Sequence, residues 1–285
     1  MLRVLDLFSG IGGFSLGLER TGGFQTVAFC EIEDFPRRVL AKHWPDVPCY
    51  QDVRELTGER LAADGIAVDV ICGGFPCQDI STAGKGLGLA GERSGLWSEI
   101  ARLVGELAPR YLIVENVAAL LGRGLGDVLG DLAALGYDAE WHCIPASAVG
   151  APHRRDRIWI VAYPAILQRD GCNDNAEVGM GSEVPEPRNG RWAVALAHTN
   201  HVHEQGLIAR FAHPQEWARQ IRRSAGPRGD GFGGWGSEPD VGRVAHGVPA
   251  RAHRLRALGN AVVPQIPELI GRAILASLEQ HRRAA

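Results

Sequence analysis

Residues 68–82 read Val68-Asp69-Val70-Ile71-Cys72-Gly73-Gly74-Phe75-Pro76-Cys77-Gln78-Asp79-Ile80-Ser81-Thr82. The run 68–72 is apolar and β-branched, the composition of a strand buried on both faces. Gly73 and Gly74 end it, and Pro76 fixes the backbone just before Cys77. A cysteine carried off the end of a central strand on a glycine turn stands where open parallel sheets bind ligands. An inert buried thiol is the commonest state of a free cysteine. The polar residues Gln78, Asp79, Ser81 and Thr82 that follow are not needed around such a thiol, so Cys77 is read as a nucleophile. The next thirteen residues, AGKGLGLAGERSG, hold five glycines and are expected to form a mobile loop long enough to act as a lid.

The 285 residues, 45% of them hydrophobic, suffice for a full core in one large domain or two. A net charge of −3 argues neither for nor against a nucleic-acid partner. The six cysteines stand at 30, 49, 72, 77, 143 and 172 and form no CxxC pair, so neither a disulfide framework nor a zinc site is expected. The amino terminus enters a strand directly, without a signal-peptide pattern, and no apolar run of membrane length is evident. These features predict a soluble, cytoplasmic protein with no membrane association and no resident metal.

Strand patterns at 3–8, 24–30, 48–50, 68–72, 111–115, 137–145 and 157–163 alternate with helical patterns at 13–21, 36–43, 54–63, 96–107 and 125–135. That order predicts an α/β fold, a mostly parallel sheet with helices on both faces. Asp34 is expected to cap the helix that Pro36 opens. Residues 164–250 are rich in Gly, Pro, Asn, His and Arg, with short apolar pieces such as 192–196. An irregular, loop-dominated region is expected there. Order returns from 254: a basic run, then LGNAVVPQ, then a helical pattern over 266–279.

Residues 6–17, DLFSGIGGFSLG, form a glycine-rich turn between the first strand and the first helix, where Gly10 and Gly12 let the backbone approach a ligand. A dinucleotide fingerprint counted from Gly10 fails at Ser15, which stands where its third glycine belongs. Glu31 closes the second strand, where an acid can accept both ribose hydroxyls. Asp52 closes the third, where it can accept from an adenine amino group. Each alone reads more simply as a solvated loop residue or helix cap. Three such groups at successive strand ends point instead to an adenosine-type pocket. YLIVENV, 111–117, brings Glu115 to the edge that carries Cys77, and PHRRDRIWIVAY, 152–163, places Arg154, Arg155 and Arg157 ahead of a strand. Alternation predicts that Arg155 and Arg157 share one face.

DLFSGIGG, the Glu31 and Asp52 positions, GGFPCQDIS, ENV, HRRDR and LGNAVVP occur in the order and spacing of the cytosine-C5 DNA methyltransferases. The sequence resembles that family, in its bacterial and phage form, over residues 1–163 and about 254–275. The resemblance implies a Rossmann-like S-adenosylmethionine-dependent methyltransferase sheet with a small irregular target-recognition lobe. Its catalytic, cofactor-binding domain would be discontinuous, 1–163 with 252–285, and 164–251 would be the target-recognition region. It implies DNA (cytosine-5-)-methyltransferase activity: Cys77 adds to C6 of a cytosine flipped out of duplex DNA, and C5 then takes the methyl group. Glu115 would hold the N3 edge, Arg155 would contact the base or its phosphate, and Arg157 would join them in the catalytic set. The cofactor is expected against Phe8 and Ile32, with Gly10 and Gly12 near its methionine end, Glu31 on the ribose, Asp52 on the amino group, and Val53 and Pro76 in contact. Asn260 would complete this pocket by packing back onto the first strand. Double-stranded DNA is the implied partner, with a cognate restriction endonuclease as a further candidate and a monomer as the expected state.

Two positions depart from the family pattern. His153 stands where glutamine is usual, and Ala261 where serine is frequent. The cluster His198, His201 and His203 lacks the cysteines of a metal site and is not read as one. Of the basic stretches 219–228 and 251–256, at least one is expected to contact phosphate. Trp192, Trp217 and Trp235 are read as the small core of the recognition lobe. Two alternatives remain from the sequence alone: a tRNA cytosine-5 methyltransferase on the same scaffold, and a catalytically silent DNA-binding regulator. Intact Cys77, Glu115 and Arg155 argue against the second.

Overall fold

The apolar runs pair side by side in a seven-stranded sheet. In the computed structural model, which describes residues 1–76, 96–165 and 251–284, the strands are β1 (Leu2–Leu7), β2 (Phe24–Cys30), β3 (Cys49–Tyr50), β4 (Val70–Gly73), β5 (Tyr111–Val117), β6 (Tyr137–Pro145) and β7 (Asp156–Pro164). Their order across the sheet is β3-β2-β1-β4-β5-β7-β6. The first five run parallel, and β7 is antiparallel to both β5 and β6. The expectation of a mostly parallel α/β sheet is met, strand for strand.

The alternation of side chains explains why both faces are covered. On β5, Leu112 and Val114 face one apolar cluster while Tyr111 and Ile113 face the other. On β7, Ile158 and Ile160 are divided from Trp159 and Val161 in the same way. The first face is covered by α3 (Gly58–Ala63), α4 (Trp97–Leu107), α5 (Leu120–Arg123) and α6 (Leu125–Ala134), through Leu61, Ile100, Leu103, Leu120, Val128 and Leu132. The opposite face is covered by α1 (Gly13–Glu19) and by α8 (Gln265–Ala284), which follows α7 (Arg251–Asn260). Ile266, Leu269, Ile270 and Ile274 of α8 are buried there with Phe14 and Leu18 of α1.

Small residues make that last contact possible. A Cβ at Gly13 would stand 2.7 Å from the Val262 carbonyl oxygen, and one at Gly17 would collide with the Pro264 carbonyl. Residues 252–280 are long and apolar enough by composition to cross a membrane. They form two helices interrupted at 261–264, the second of which is a core helix.

Two local expectations need correction. Asp34 is the first residue of α2 (Asp34–His43), not its cap. Glu33 holds the cap position without a side-chain hydrogen bond, and Asp34 pairs with Arg37 and Arg38 on the same helix. The helix expected over 54–63 begins only at Gly58, because Thr57 caps it by accepting from the Arg60 N–H at 3.1 Å. The segment 261–264 meets α1 at Gly13 and Gly17. The loop after Cys77, the region 166–250, its histidine cluster and its tryptophans lie outside the described residues.

Candidate active site

The strand order reverses between β1 and β4, which leave the sheet side by side with Leu7 opposite Gly73. A parallel sheet opens a crevice at such a point, beyond the carboxyl ends of its strands. The glycine turn after β1 and the Gly73–Gly74 turn after β4 are therefore neighbours, although about sixty residues of chain separate them. The same edge receives Glu31 from β2, Asp52 from beyond β3 and Glu115 from β5. Because β7 runs antiparallel, its beginning reaches this edge too and brings Arg155 and Arg157 with it.

Phe8 and Gly10 carry the chain through the turn with φ of 52° and 53°, and Gly12 follows at 83°. Phe8, Ala108 and Arg155 are the non-glycine residues with positive φ among the described residues. Two of these three stand in the site, where surrounding structure can hold such strained backbone in place. A Cβ at Gly10 would meet nothing within 4 Å, so the turn is open above it. Glu31 is buried and its two oxygens accept from the Gly10 N–H at 2.7 Å and the Glu33 N–H at 2.8 Å. Burial raises its pKa, against the pull of those backbone hydrogen bonds. Ile32, next in the chain, is 57% exposed, an apolar side chain left uncovered at this edge.

Asp52 receives Arg54, whose Nη2 donates at 2.7 Å and whose backbone N–H donates at 3.0 Å. The Arg54 hydrogen bond holds the Asp52 carboxyl below its ordinary range, so it is an ionised acceptor. Arg54 Nε also donates to both oxygens, at 3.0 and 3.2 Å, so Arg54 occupies both sides of this carboxylate and a ligand donor would share or displace that pairing. The Val53 side chain is buried in the core beside Leu56 and Leu61, which leaves only its backbone to meet a ligand. Pro76 closes the described part of the β4 turn, and Cys77 lies just beyond it, outside the described residues.

Glu115 and Arg157 form the clearest pair in the site, with Arg157 Nε 2.9 Å from Glu115 Oε1 and side-chain exposures of 24% and 13%. Burial raises the Glu115 pKa, and the Arg157 and Arg155 charges oppose the rise without cancelling it. Gly74 makes room for this carboxylate: a Cβ there would lie 2.7 Å from Glu115 Oε2. The alternation argument for Arg155 fails. That residue precedes β7 and has φ of 39°, so it turns away from strand geometry and donates to the Gly259 carbonyl at 2.5 Å. Asn260, one residue further, is exposed at the end of α7.

Between the glycine turn and the 258–264 segment lies a cavity of about 700 Å³, lined by Ile11, Gly12, Leu16, His153, Arg155 and Val262 among others. Of the residues expected around the cofactor this cavity touches Gly12 alone; the open turn, two acids and one exposed apolar side chain beside it are the groups that fit an adenosyl cofactor. No cluster of three or more metal-ligating side chains occurs among the described residues.

Three supporting groups escaped the sequence reading. Asp6 is buried, and its Oδ2 accepts from the Ser15 hydroxyl at 2.7 Å. The serine that broke the dinucleotide fingerprint thus ties α1 to the end of β1. Asn116 donates to the Phe75 carbonyl at 3.2 Å and holds the β4 turn. Arg102 of α4 donates to the Val53 and Leu56 carbonyls. Asp6 stood in the quoted glycine-turn motif and Asn116 beside Glu115. Nothing in the pattern around Arg102 marked it.

Comparison with known proteins agrees with this geometry. The model of the C-5 cytosine-specific DNA methylase family matches residues 2–201. The type II methyltransferase M2.BsuMI of Bacillus subtilis is 34% identical over 169 residues, which cover 56% of this chain and 42% of the relative. M.Sau3AI of Staphylococcus aureus is 34% identical over 184 residues, 57% and 43% of the two chains. The chain thus spans less than half the length of these curated relatives. Among solved structures, a putative DNA modification methyltransferase encoded within an Escherichia coli prophage superposes with a TM-score of 0.60 at 21% identity. That match covers 98% of this chain and 100% of the other, and shows a shared fold. With the family model matching well over half of its residues, the chain belongs to the C-5 cytosine-specific DNA methylase family.

Proposed function

We propose that this chain transfers a methyl group from S-adenosylmethionine to carbon 5 of a cytosine flipped out of duplex DNA. The observation that carries the reading is the half-buried Glu115–Arg157 pair at 2.9 Å, set against Gly74 three residues ahead of Cys77. When bound, the cofactor supplies an electrophilic sulfonium methyl. Everything else falls to side chains. The Cys77 thiolate forms a bond to C6 of the ring, and the displaced electron pair makes C5 nucleophilic enough to take the methyl group. Glu115, with its raised pKa, carries a proton to higher pH than an ordinary glutamate and holds it at the N3 edge, where negative charge develops on addition. Arg157 orients that carboxyl, and Arg155 lies close enough for its charge to act on it. After transfer a base removes the C5 proton, the electron pair returns to the ring, and the C6–S bond breaks to release the thiolate.

Phe8, Gly10, Gly12, Glu31, Ile32, Asp52, Val53 and Pro76 are read as the cofactor's surroundings, with Asn260 at their margin. Residues 1–163 with 252–285 are read as the catalytic domain, a division supported by the packing of α8 on α1. Residues 164–251 are read as the target-recognition region for double-stranded DNA. A monomer in the cytoplasm, serving beside a cognate endonuclease, completes the reading.

The test is to incubate the protein and its Cys77→Ala variant with radiolabelled S-adenosylmethionine and either mixed-sequence duplex DNA or tRNA, then map the modified cytosines. Label at one recurring DNA motif, absent with the variant, is the expected result. Label on tRNA alone would replace DNA by RNA as substrate. Cofactor binding without transfer to either would leave a regulator in place of an enzyme.

A further inference from the structure

The segment that carries Asp52 is held from behind by one helix. On α4, the Arg102 Nη2 donates to the Val53 carbonyl at 2.9 Å and the Leu56 carbonyl at 2.8 Å. Its Nε donates to Glu99 at 2.9 Å and its Nη1 to Glu106 at 2.6 Å, so the guanidinium is gripped by carboxylates one turn before and after it. Glu106 in turn accepts the Gly58 N–H at 2.7 Å. Two side chains of α4 therefore fix three backbone groups of the stretch 53–58. The other side of that stretch is pinned by Val53 and Leu56, buried in the core. Asp52 stands at the head of this clamped turn, and its own carbonyl accepts the Glu55 N–H at 3.1 Å.

We infer that Arg102 is a positioning residue for the adenine end of the cofactor. Its guanidinium sets the turn whose first residues, Asp52 and Val53, meet the base, without touching the ligand itself. The physical case is geometric. β3 is only two residues long, so strand pairing ends before Asp52 and cannot fix its direction. The Arg102 guanidinium bonds both carbonyls through Nη2 while its Nε and Nη1 hold Glu99 and Glu106, whereas a lysine has a single nitrogen for all four partners. A carboxylate that selects one amino group must be aimed to within a fraction of an ångström; Arg54 holds the carboxylate itself, and Arg102 fixes the backbone that carries it.

This inference rests on the cofactor reading above, and the experiment separates the two. Binding of S-adenosylhomocysteine and of its deaminated analogue S-inosylhomocysteine is measured by calorimetry on the full chain, on Arg102→Met and on Arg102→Lys. The analogue has an oxygen where adenine carries the amino group. The unaltered protein is expected to prefer the adenosyl ligand. Arg102→Met is expected to weaken adenosyl binding roughly tenfold, the equivalent of ~1.4 kcal/mol, while inosyl binding changes little, so the preference shrinks. Arg102→Lys keeps a charge between Glu99 and Glu106 but has one nitrogen to divide between those carboxylates and the two carbonyls, and should fall between the two. It also keeps the test readable where the methionine variant fails to fold. A merely structural role would weaken both ligands equally and leave the preference intact, which overturns the inference. Failure of the unaltered protein to bind either ligand overturns the cofactor reading and this inference with it.

Discussion

Asp6 has one oxygen occupied and one free of partners. Its Oδ2 accepts from Ser15, while Oδ1 is buried without a hydrogen bond. Burial pushes its pKa up to about 7 from an ordinary 3.8, against the pull of the Ser15 hydroxyl. The consequence for stability has a definite sign. The unfolded chain releases this proton near 3.8 and the folded chain holds it to about 7, so in that window the native state binds more protons. Stability then falls as pH rises, by up to about 1.4 kcal/mol per pH unit from this one group. Glu31 and Glu115 are raised as well and act in the same direction. Asp6→Asn keeps an acceptor for Ser15 and removes the proton. Thermal denaturation from pH 4 to 8 should show the unaltered protein losing more of its melting temperature than the variant. Parallel curves would mean that Asp6 ionises normally in the fold.

Elements act in this protein mainly through where they stop. β4 and β5 run parallel, but β4 stops at Gly73, opposite Val114, while β5 runs on to Val117, and the turn beyond β4 is tied to that overhang by Asn116. The amide of that residue donates to the Phe75 carbonyl, and its oxygen accepts the Val117 N–H at 2.8 Å. The first bond is buried and the second part-buried, so removing the amide leaves two backbone groups without these partners. Asn116→Ala should cost about 1–3 kcal/mol of stability, read as a lower denaturant midpoint. It should also slow methyl transfer at least tenfold, because the turn leading to Cys77 loses its tether, while cofactor affinity stays within twofold. A variant that turns over normally would show that Pro76 and the two glycines hold the turn unaided. Glu115 needs the same closeness of β4 and β5, since its carboxylate occupies the space over Gly74 that a side chain would fill.

At the scale of the whole molecule, the seven described strands all lie within the first 165 residues, but the cover of one sheet face does not. Ile266, Leu269, Ile270 and Ile274 come from the far end of the chain to cover Phe14, Leu18 and Phe24. A fragment ending at 165 would expose that face, a loss of several buried aliphatic side chains at ~1.5–3 kcal/mol each, comparable with the total stability of an ordinary domain. Expressed alone, it should bind hydrophobic dye and melt without a cooperative transition. Joining 165 to 251 through a flexible linker, without the region between, should restore a cooperative melt. A sharp transition in the short fragment would show that α8 is dispensable.

The sequence by itself determined the elements and their order, because period-two and helical patterns are local and the two-sided core enforces them. It determined the chemistry of the glycine turn, the acids at the strand ends and the Glu-Asn-Val stretch, because those residue types are costly to place without a use. Tertiary structure decided which strand ends meet. The reversal between β1 and β4 set Leu7 beside Gly73, and the antiparallel β7 carried Arg157 to Glu115. Neither follows from spacing, since pairing across long separations depends on which faces can be buried together. The same holds for Arg102. Its partners are backbone carbonyls 46 and 49 residues away, and a carbonyl carries no mark in the sequence. Arg155 shows the converse: a positive φ, imposed where the chain enters β7, turned a residue that alternation had assigned to the strand face.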